Sequence, residues 1–296
     1  MLRKIIIGMT FAFALFALGP DALGVDDLLG QAIKGFRYPN YDNQGQLKWE
    51  ISGDTAKFLP QDLIQGSDLR ITFYEDGKLA MRVTTPICFY DRVRQTATSK
   101  AQVCATLAEM TITGRGFDLN VKDERININN DVRVVLQKTD SKPPFGPESS
   151  NTSSPAGFET DTNSTVITSI RLAFDQKKSQ AVFEGKVVVT DPALKIKSDR
   201  LTVSLFNDKK VKAFNAEGNV VIFITRDMIK AAALMATYAV PDGKITLWGK
   251  PLVTRQKDYL TAETIVLWRD SNRIICEPEA HSVIYSEDMN TRFKKN

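Results

Sequence analysis

The chain has 296 residues, of which 43% are hydrophobic and 25% are charged, and its formal net charge is +4. These proportions are typical of a globular protein with one large or two ordinary domains, each with its own core. Lysine and arginine alternate with aspartate and glutamate, and the lack of a basic block argues against a nucleic-acid-binding protein.

The N-terminus has the pattern of an export signal. Arg3 and Lys4 precede a run of apolar residues from 5 to 18, and small residues at 17–19 and 22–24 fit a signal-peptidase site. At about 14 residues the run is short for a bilayer span, which needs roughly 20. We therefore expect residues 1–24 to be a signal peptide. If the segment is retained, it would instead anchor the chain in the inner membrane.

The first half of the chain, residues 36–137, reads as a series of β-strands. Apolar residues alternate with polar ones at a period of two, which predicts strands with one buried face. Turn residues such as those at 75–77 separate the strands. The inward-facing residues that this alternation predicts include Trp49, Ile51, Ile71, Phe73, Met110 and Ile112.

The chain has an odd number of cysteines, and they do not have CxxC spacing. They are Cys88, Cys104 and Cys276. In an exported protein a bridge between Cys88 and Cys104 is one interpretation, because they flank a predicted hairpin turn. The other is that all three are small apolar residues in strands.

The composition changes sharply after Lys138. Residues 138–165 are rich in Ser, Thr, Pro, Asn and Gly and nearly free of aliphatic side chains. Such a segment buries too little apolar surface to offset the entropy of ordering, which is typical of a linker. We expect the domain boundary here, and a basic tail at residues 287–296.

The second half, residues 166–286, contains a repeat marked by glycine. Gly185, Gly218 and Gly249 recur at a spacing of roughly 30 residues, and each is predicted to mark the start of a strand. In the strands that follow, the alternation of apolar and polar residues shifts by one position, for example between Ile196 and Leu201. A compensated slip of this kind predicts a bulge or a corner where a long strand folds over. We place the corners at Ser198, Ala231 and Ala262.

Residues for catalysis are scarce. His281 is the only histidine, which argues against a histidine-based triad or zinc site, and no glycine-rich loop has the Walker pattern. Asp199 and Glu263 occupy equivalent repeat positions and could form a pair of catalytic carboxylates, but solvated bulge residues are the simpler interpretation. The sequence predicts neither an enzyme nor a cofactor or metal site.

Several ordered motifs resemble a known family. Residues 183–187, 197–201, 213–220 and 238–253 resemble the OstA-like domain of lipopolysaccharide-transport proteins of the LptA type. Residues 41–51 and 68–77 resemble the opening strands of the LptC type. The resemblance implies an all-β fold of two folded-over antiparallel jelly rolls, an LptC-like one at 36–137 and an LptA-like one at 166–286. These two modules could stack into one continuous roll.

The resemblance also implies a function. Such proteins form a periplasmic bridge that moves lipopolysaccharide from the inner to the outer membrane, with the acyl chains of lipid A in an apolar groove. The implied partners are other jelly-roll transport proteins, joined by edge-strand pairing, and an inner-membrane ABC transporter complex. The groove candidates of the first half are the six residues named above. Those of the second half are Val187, Val189, Ile196, Leu201, Val203, Leu205, Val220, Ile222, Leu260, Ile265 and Leu267.

Two other functions remain open from the sequence. The same alternation would build the sealed core of a structural or adhesive β-repeat protein that holds no lipid. A carbohydrate-processing enzyme would need Asp199 and Glu263 to lie together in a cleft.

Overall fold

The computed structural model describes residues 30–107, 110–137, 164–206, 210–271 and 273–284. Within these ranges every regular element is a β-strand, and all the paired strands are antiparallel, so the predicted all-β fold is confirmed. The chain divides into two compact units between Ala105 and Thr106. The signal segment 1–24, the tail 287–296 and the linker up to residue 163 lie outside the described residues.

The first unit is a meander of long strands. The turn at 42–46, for example, is closed by Asp42, whose carboxylate accepts the backbone N–H groups of Gln44 and Gln46. The strands are β1 (Ala32–Tyr41), β2 (Leu47–Leu59), β3 (Leu63–Glu75), β4 (Lys78–Asp91) and β5 (Thr96–Leu107), the last of which runs past the division.

The second unit holds the glycine-marked repeat. Its long strands are β6 (Met110–Asn120), β7 (Arg125–Gln137), β10 (Gln180–Thr190), β11 (Leu194–Leu205), β12 (Val211–Ile224) and β13 (Ile229–Ala239). Its short strands are β8 (Ser164–Ser169), β9 (Arg171–Asp175), β14 (Lys244–Trp248), β15 (Leu252–Arg255), β16 (Asp258–Thr261), β17 (Thr264–Trp268), β18 (Ile274–Glu277) and β19 (His281–Val283).

Each long strand of the second unit is bent near its middle. In β11 the buried side chains change phase between Ser198 and Leu201, and the β11–β12 register shifts between Lys197 and Arg200, as the slip in the sequence predicted. The short strands are halves of longer ones: β10 pairs with β8 on one side of the bend and with β9 on the other. The strands therefore fold over into two facing layers that share one interior.

The repeat glycines lie at these bends and do not mark strand starts. Gly185 and Gly218 sit in the interior of β10 and β12 with φ of 80° and 74°, and Gly249 lies between β14 and β15 with φ of 75°. Only glycine adopts this left-handed conformation without strain. The prediction of a corner at Ala231 is also wrong, because the residue opposite the β12 bulge is Leu234, whose N–H donates to Gly249 O at 3.2 Å.

Substituting Gly185 tests the corner. A Cβ at this position would lie 2.8 Å from Ile170 Cδ1. We expect Gly185→Ala to lower the free energy of unfolding by about 1–2 kcal/mol from the backbone conformation alone, and by more because of the contact. Gly77→Ala is the matched control, since Gly77 has a φ of 72° with nothing within 4 Å of its Cβ position. The free energies of unfolding are measured in guanidinium. Equal losses in the two variants would mean that the Ile170 side chain moves away from the new methyl group without cost.

A continuous ladder crosses from the first half of the sequence into the second. Strand β7 pairs with β8 from Val132 to Gln137 and with β9 from Arg125 to Ile128. Its inward residues Ile128 and Val134 are buried, at 0% and 1% exposure. The first two strands after the predicted linker, β8 and β9, therefore pair in register with β7, the last strand before the linker. All three strands lie within the second unit.

An ion pair on this ladder should make stability depend on pH. Burial raises the pKa of Asp175, but hydrogen bonds from the Lys178 N–H and from Arg125 Nε, at 2.7 Å, outweigh it, so that the pKa lies below the usual value. The stabilisation is thus present above the carboxyl's unfolded pKa and is lost as the pH falls through the folded one. We expect Asp175→Asn to cost about 1 kcal/mol or less at pH 7. In urea unfolding the difference should shrink as the pH falls below the usual aspartate pKa, and a difference that does not depend on pH would contradict the pairing.

Candidate functional site

The interior between the two layers is lined by alternate residues of each strand. In β11, Leu201, Val203 and Leu205 are buried at 0%, 2% and 7% exposure, while the residues between them, Thr202 and Ser204, are half-buried on the other face. All the predicted groove residues except one are buried in this way. They are Trp49, Ile51, Ile71, Phe73, Met110, Ile112, Val187, Val189, Ile196, Leu201, Val203, Leu205, Val220, Ile222, Ile265 and Leu267.

The structure does not bring all of these residues into one unit. Trp49, Ile51, Ile71 and Phe73 lie in the first unit, whereas Met110 and Ile112, in the same half of the sequence, lie in the second. Leu260 on β16 is only half-buried, because it lies in one of the short strands near the C-terminal edge of the fold.

Large aromatic side chains fill much of the second unit's interior. Phe117, Phe174 and Phe183 are each no more than 2% exposed and were not among the groove candidates. Phe183 pairs with Leu201 on one side and with Leu172 on the other, so it lies at the centre of its layer. The same two-residue alternation that selected the aliphatic residues also includes these phenylalanines.

One end of the second unit carries an aromatic and charged cluster. Phe214 and Tyr238 stack with ring centroids 5.9 Å apart, and Arg269 Nη1 donates to the Tyr238 hydroxyl at 2.5 Å. Asp270 accepts two hydrogen bonds from Arg269, which raise the pKa of the guanidinium and lower that of the carboxyl. Burial raises the pKa of Tyr238, so its phenol stays protonated and can also donate. The apolar interior thus ends at a polar edge.

The three cysteines are free thiols. Cys88, Cys104 and Cys276 are all free, so Cys88 and Cys104 do not form a bridge. Burial raises the pKa of the Cys88 thiol to about 12, which leaves it protonated and unreactive at neutral pH.

The remaining candidates for chemistry are dispersed. Asp199 on β11 accepts a hydrogen bond from Asn219 Nδ2 at 2.7 Å, while Glu263 precedes β17, four ladder steps away. At about 4.8 Å per strand the separation is roughly 19 Å, beyond the about 5–9.5 Å of glycosidase carboxylates. The described residues contain no cluster of three His, Cys, Asp or Glu side chains able to hold a metal ion, and His281 is exposed. No helix in the same ranges is long and apolar enough to cross a membrane.

Folded-over antiparallel strands around an apolar interior define a β-jelly-roll protein, and two family matches narrow this class. Residues 40–137 match the family model described as "Lipopolysaccharide-assembly, LptC-related". Residues 166–273 match the model described as "LptA/(LptD N-terminal domain) LPS transport protein". The chain therefore belongs to the lipopolysaccharide-transport (Lpt) proteins, with an LptC-like half followed by an LptA-like half, as the resemblance predicted.

Among solved structures, the chain is similar to the crystal structure of LptH, the LptA homologous periplasmic component of the lipopolysaccharide transport device from Pseudomonas aeruginosa. The match has 19% identity and a TM-score of 0.39, and covers 41% of this chain and 94% of that one. A search of the curated proteins gave no match.

Proposed function

We propose that the chain is a periplasmic bridge component that moves lipopolysaccharide from the inner to the outer membrane, with the acyl chains inside its jelly rolls. The observation that carries the proposal is the β7–β8/β9 ladder, which joins an LptC-like segment to an LptA-like segment in register. An exposed acyl chain of about a dozen methylenes would cost roughly 10 kcal/mol, and an apolar interior removes this cost. The role is binding and passage, without catalysis.

Photo-crosslinking tests whether lipopolysaccharide passes through the interior. A photoreactive residue at Val203 or Leu205 faces the interior, and we expect it to give adducts with lipopolysaccharide in cells. The matched controls are Thr202 and Ser204, which belong to the opposite face of β11. Adducts from the controls alone, or from neither pair, would favour a structural or adhesive protein with a sealed core. Depletion of the protein should also cause lipopolysaccharide to accumulate at the inner membrane.

Two strand edges, one in each unit, support the proposed partners. Within the described residues, β1 pairs only with β2, and β18 and β19 pair only with β17 and β16. Ile274 and Val283 on these last strands are each 37% exposed, which fits an edge that a further strand would cover. We propose that other jelly-roll transport proteins pair with these edges and that an inner-membrane ABC transporter complex supplies the energy. Loss of co-purification with a jelly-roll partner on Ser282→Pro would support the C-terminal contact, and unchanged co-purification would exclude it.

We further propose the module limits 36–137 and 166–286, joined by a linker at 138–165, and export by the N-terminal segment 1–24. Mass spectrometry of the mature protein tests the last point. A mature chain that begins near residue 25 indicates a cleaved signal, and an intact Met1 indicates a membrane anchor.

A further inference from the structure

One outer face of the second unit is cationic. Lys195 and Lys197 on β11 and Lys230 on β13 alternate with buried residues, so all three are exposed on the outer side of their layer. Phe223 on β12 pairs directly with both Lys195 and Lys230, which places a half-buried aromatic residue between two lysines. At about 4.8 Å per strand, Lys195 and Lys230 are roughly 10 Å apart. We call these four residues the cationic face.

The strand neighbours of the three lysines carry no negative charge. Apart from Phe223, the residues that pair directly with the lysines are Thr190, Val188, Val221 and Thr254. None of the three lysines forms an ion pair with another described residue. Asp199, at the bend beyond Lys197, instead accepts a hydrogen bond from Asn219 Nδ2 at 2.7 Å. The charge of the cationic face is therefore balanced by solvent ions.

The outer face of the opposite layer has balanced charges. Arg171, Glu184 and Arg200 pair in a row across β9, β10 and β11, and Glu217 on β12 continues the row. Both guanidinium groups lie near the Glu184 carboxylate, at 3.4 Å for Arg171 and 3.3 Å for Arg200. The two outer faces of one unit thus differ in whether their cations have anionic partners within the protein.

An apolar ridge borders the cationic face along the bend of the strands from β13 to β15. The ridge consists of four side chains that are each at least 37% exposed, namely Leu234, Met235, Trp248 and Leu252. Met235 pairs directly with Trp248, while Leu252 pairs with Ala232, two residues from Lys230 on the same face. Contiguous exposed apolar side chains mark interaction surfaces, and tryptophan is enriched at membrane–water interfaces.

We propose that the cationic face and the apolar ridge together dock on the surface of a membrane that contains anionic phospholipids. The lysines attract the negatively charged surface without first breaking an ion pair within the protein. The ridge enters the headgroup region beside them, because this removes exposed apolar surface from water. The proposal goes beyond the proposed function, since it concerns the outer surface of the unit and does not depend on what the interior holds.

The cationic face is tested by co-sedimentation of the full-length protein with phosphatidylcholine vesicles that contain or lack phosphatidylglycerol. We expect Lys195→Gln combined with Lys197→Gln to weaken binding to the anionic vesicles about thirtyfold, and added salt to weaken the binding of the unsubstituted protein. The matched control is Arg171→Gln combined with Arg200→Gln, which removes the same charge from the opposite face and should have a much smaller effect.

The N-terminal segment is the same in every variant, so it does not contribute to a difference between them. Equal losses in the two double variants would mean that net charge, and not the cationic face, determines binding, and this would overturn the proposal. Unchanged binding of the lysine variant would also overturn it and would leave an acidic protein as the occupant of this face.

The apolar ridge is tested by quenching of tryptophan fluorescence with brominated phosphatidylglycerol in the same vesicles. We expect quenching in the unsubstituted protein and its loss in Trp248→Phe. The other two tryptophans serve as internal controls, because Trp49 is 4% exposed and Trp268 is covered by the Arg273 guanidinium, 4.6 Å from the ring centroid. Absence of quenching in the unsubstituted protein, or equal quenching in Trp248→Phe, would show that the ridge does not enter the membrane.

Discussion

Cutting the chain between residues 138 and 163 should leave the two fragments bound to each other. Strand β7 would belong to the N-terminal fragment and β8 and β9 to the C-terminal one, yet they share a ladder and a buried apolar face. A protease site inserted into the linker, followed by size-exclusion chromatography without denaturant, measures the association.

The interior side of this ladder should determine whether the fragments stay together. Val134→Asp places an uncompensated charge at a position with 1% exposure, at a cost of roughly 3–5 kcal/mol. This corresponds to at least about a hundredfold weaker association. The control is Val135→Asp on the half-buried outer face, which we expect to leave the fragments together. Separation of the unsubstituted fragments would show that the ladder is not a stable joint.

Truncating the buried Phe183 should cost much more stability than truncating an exposed aromatic residue. Phe183 is 1% exposed and lies between Leu172 and Leu201. We expect Phe183→Ala to lower the free energy of unfolding by about 3–5 kcal/mol, seen as a lower guanidinium midpoint with an unchanged slope.

The matched control for this cavity is Phe206→Ala. Phe206 is 41% exposed, and its ring contacts only the Lys212 ammonium, 5.9 Å from the ring centroid, among the described ring contacts. Its loss should cost about 1 kcal/mol at most. If Phe183→Ala costs no more than this control, the interior is loosely packed near Phe183 and already has room for an acyl chain.

The strands and their inward faces could be predicted because the information is local. The period of two in β2, β3 and β11 is visible within a few residues, and the phase slip after Ser198 lies in the same strand as the bend that it causes. The lipopolysaccharide-transport resemblance was carried by ordered strand motifs of the same local kind.

The wrong prediction in β13 concerns a feature that is determined by the partner strand. The corner in β13 is predicted at Ala231 from its spacing in the sequence after the repeat glycine Gly218. Its position at Leu234 depends instead on the bulge at Gly218 and Asn219 in β12. Non-local pairing of this kind does not appear in the period of a single strand.

The bends also determine where the chain tolerates the insertion of a residue. A single residue added to β10 just before Val187 would move every following side chain of that strand to the opposite face, exposing Val187 and Val189 to water. A residue added in the turn at 240–243, at the tip of the β13–β14 hairpin, would leave both faces unchanged. Natural length variation in this repeat should therefore be confined to the strand tips, while the distances from each tip to its bend stay constant.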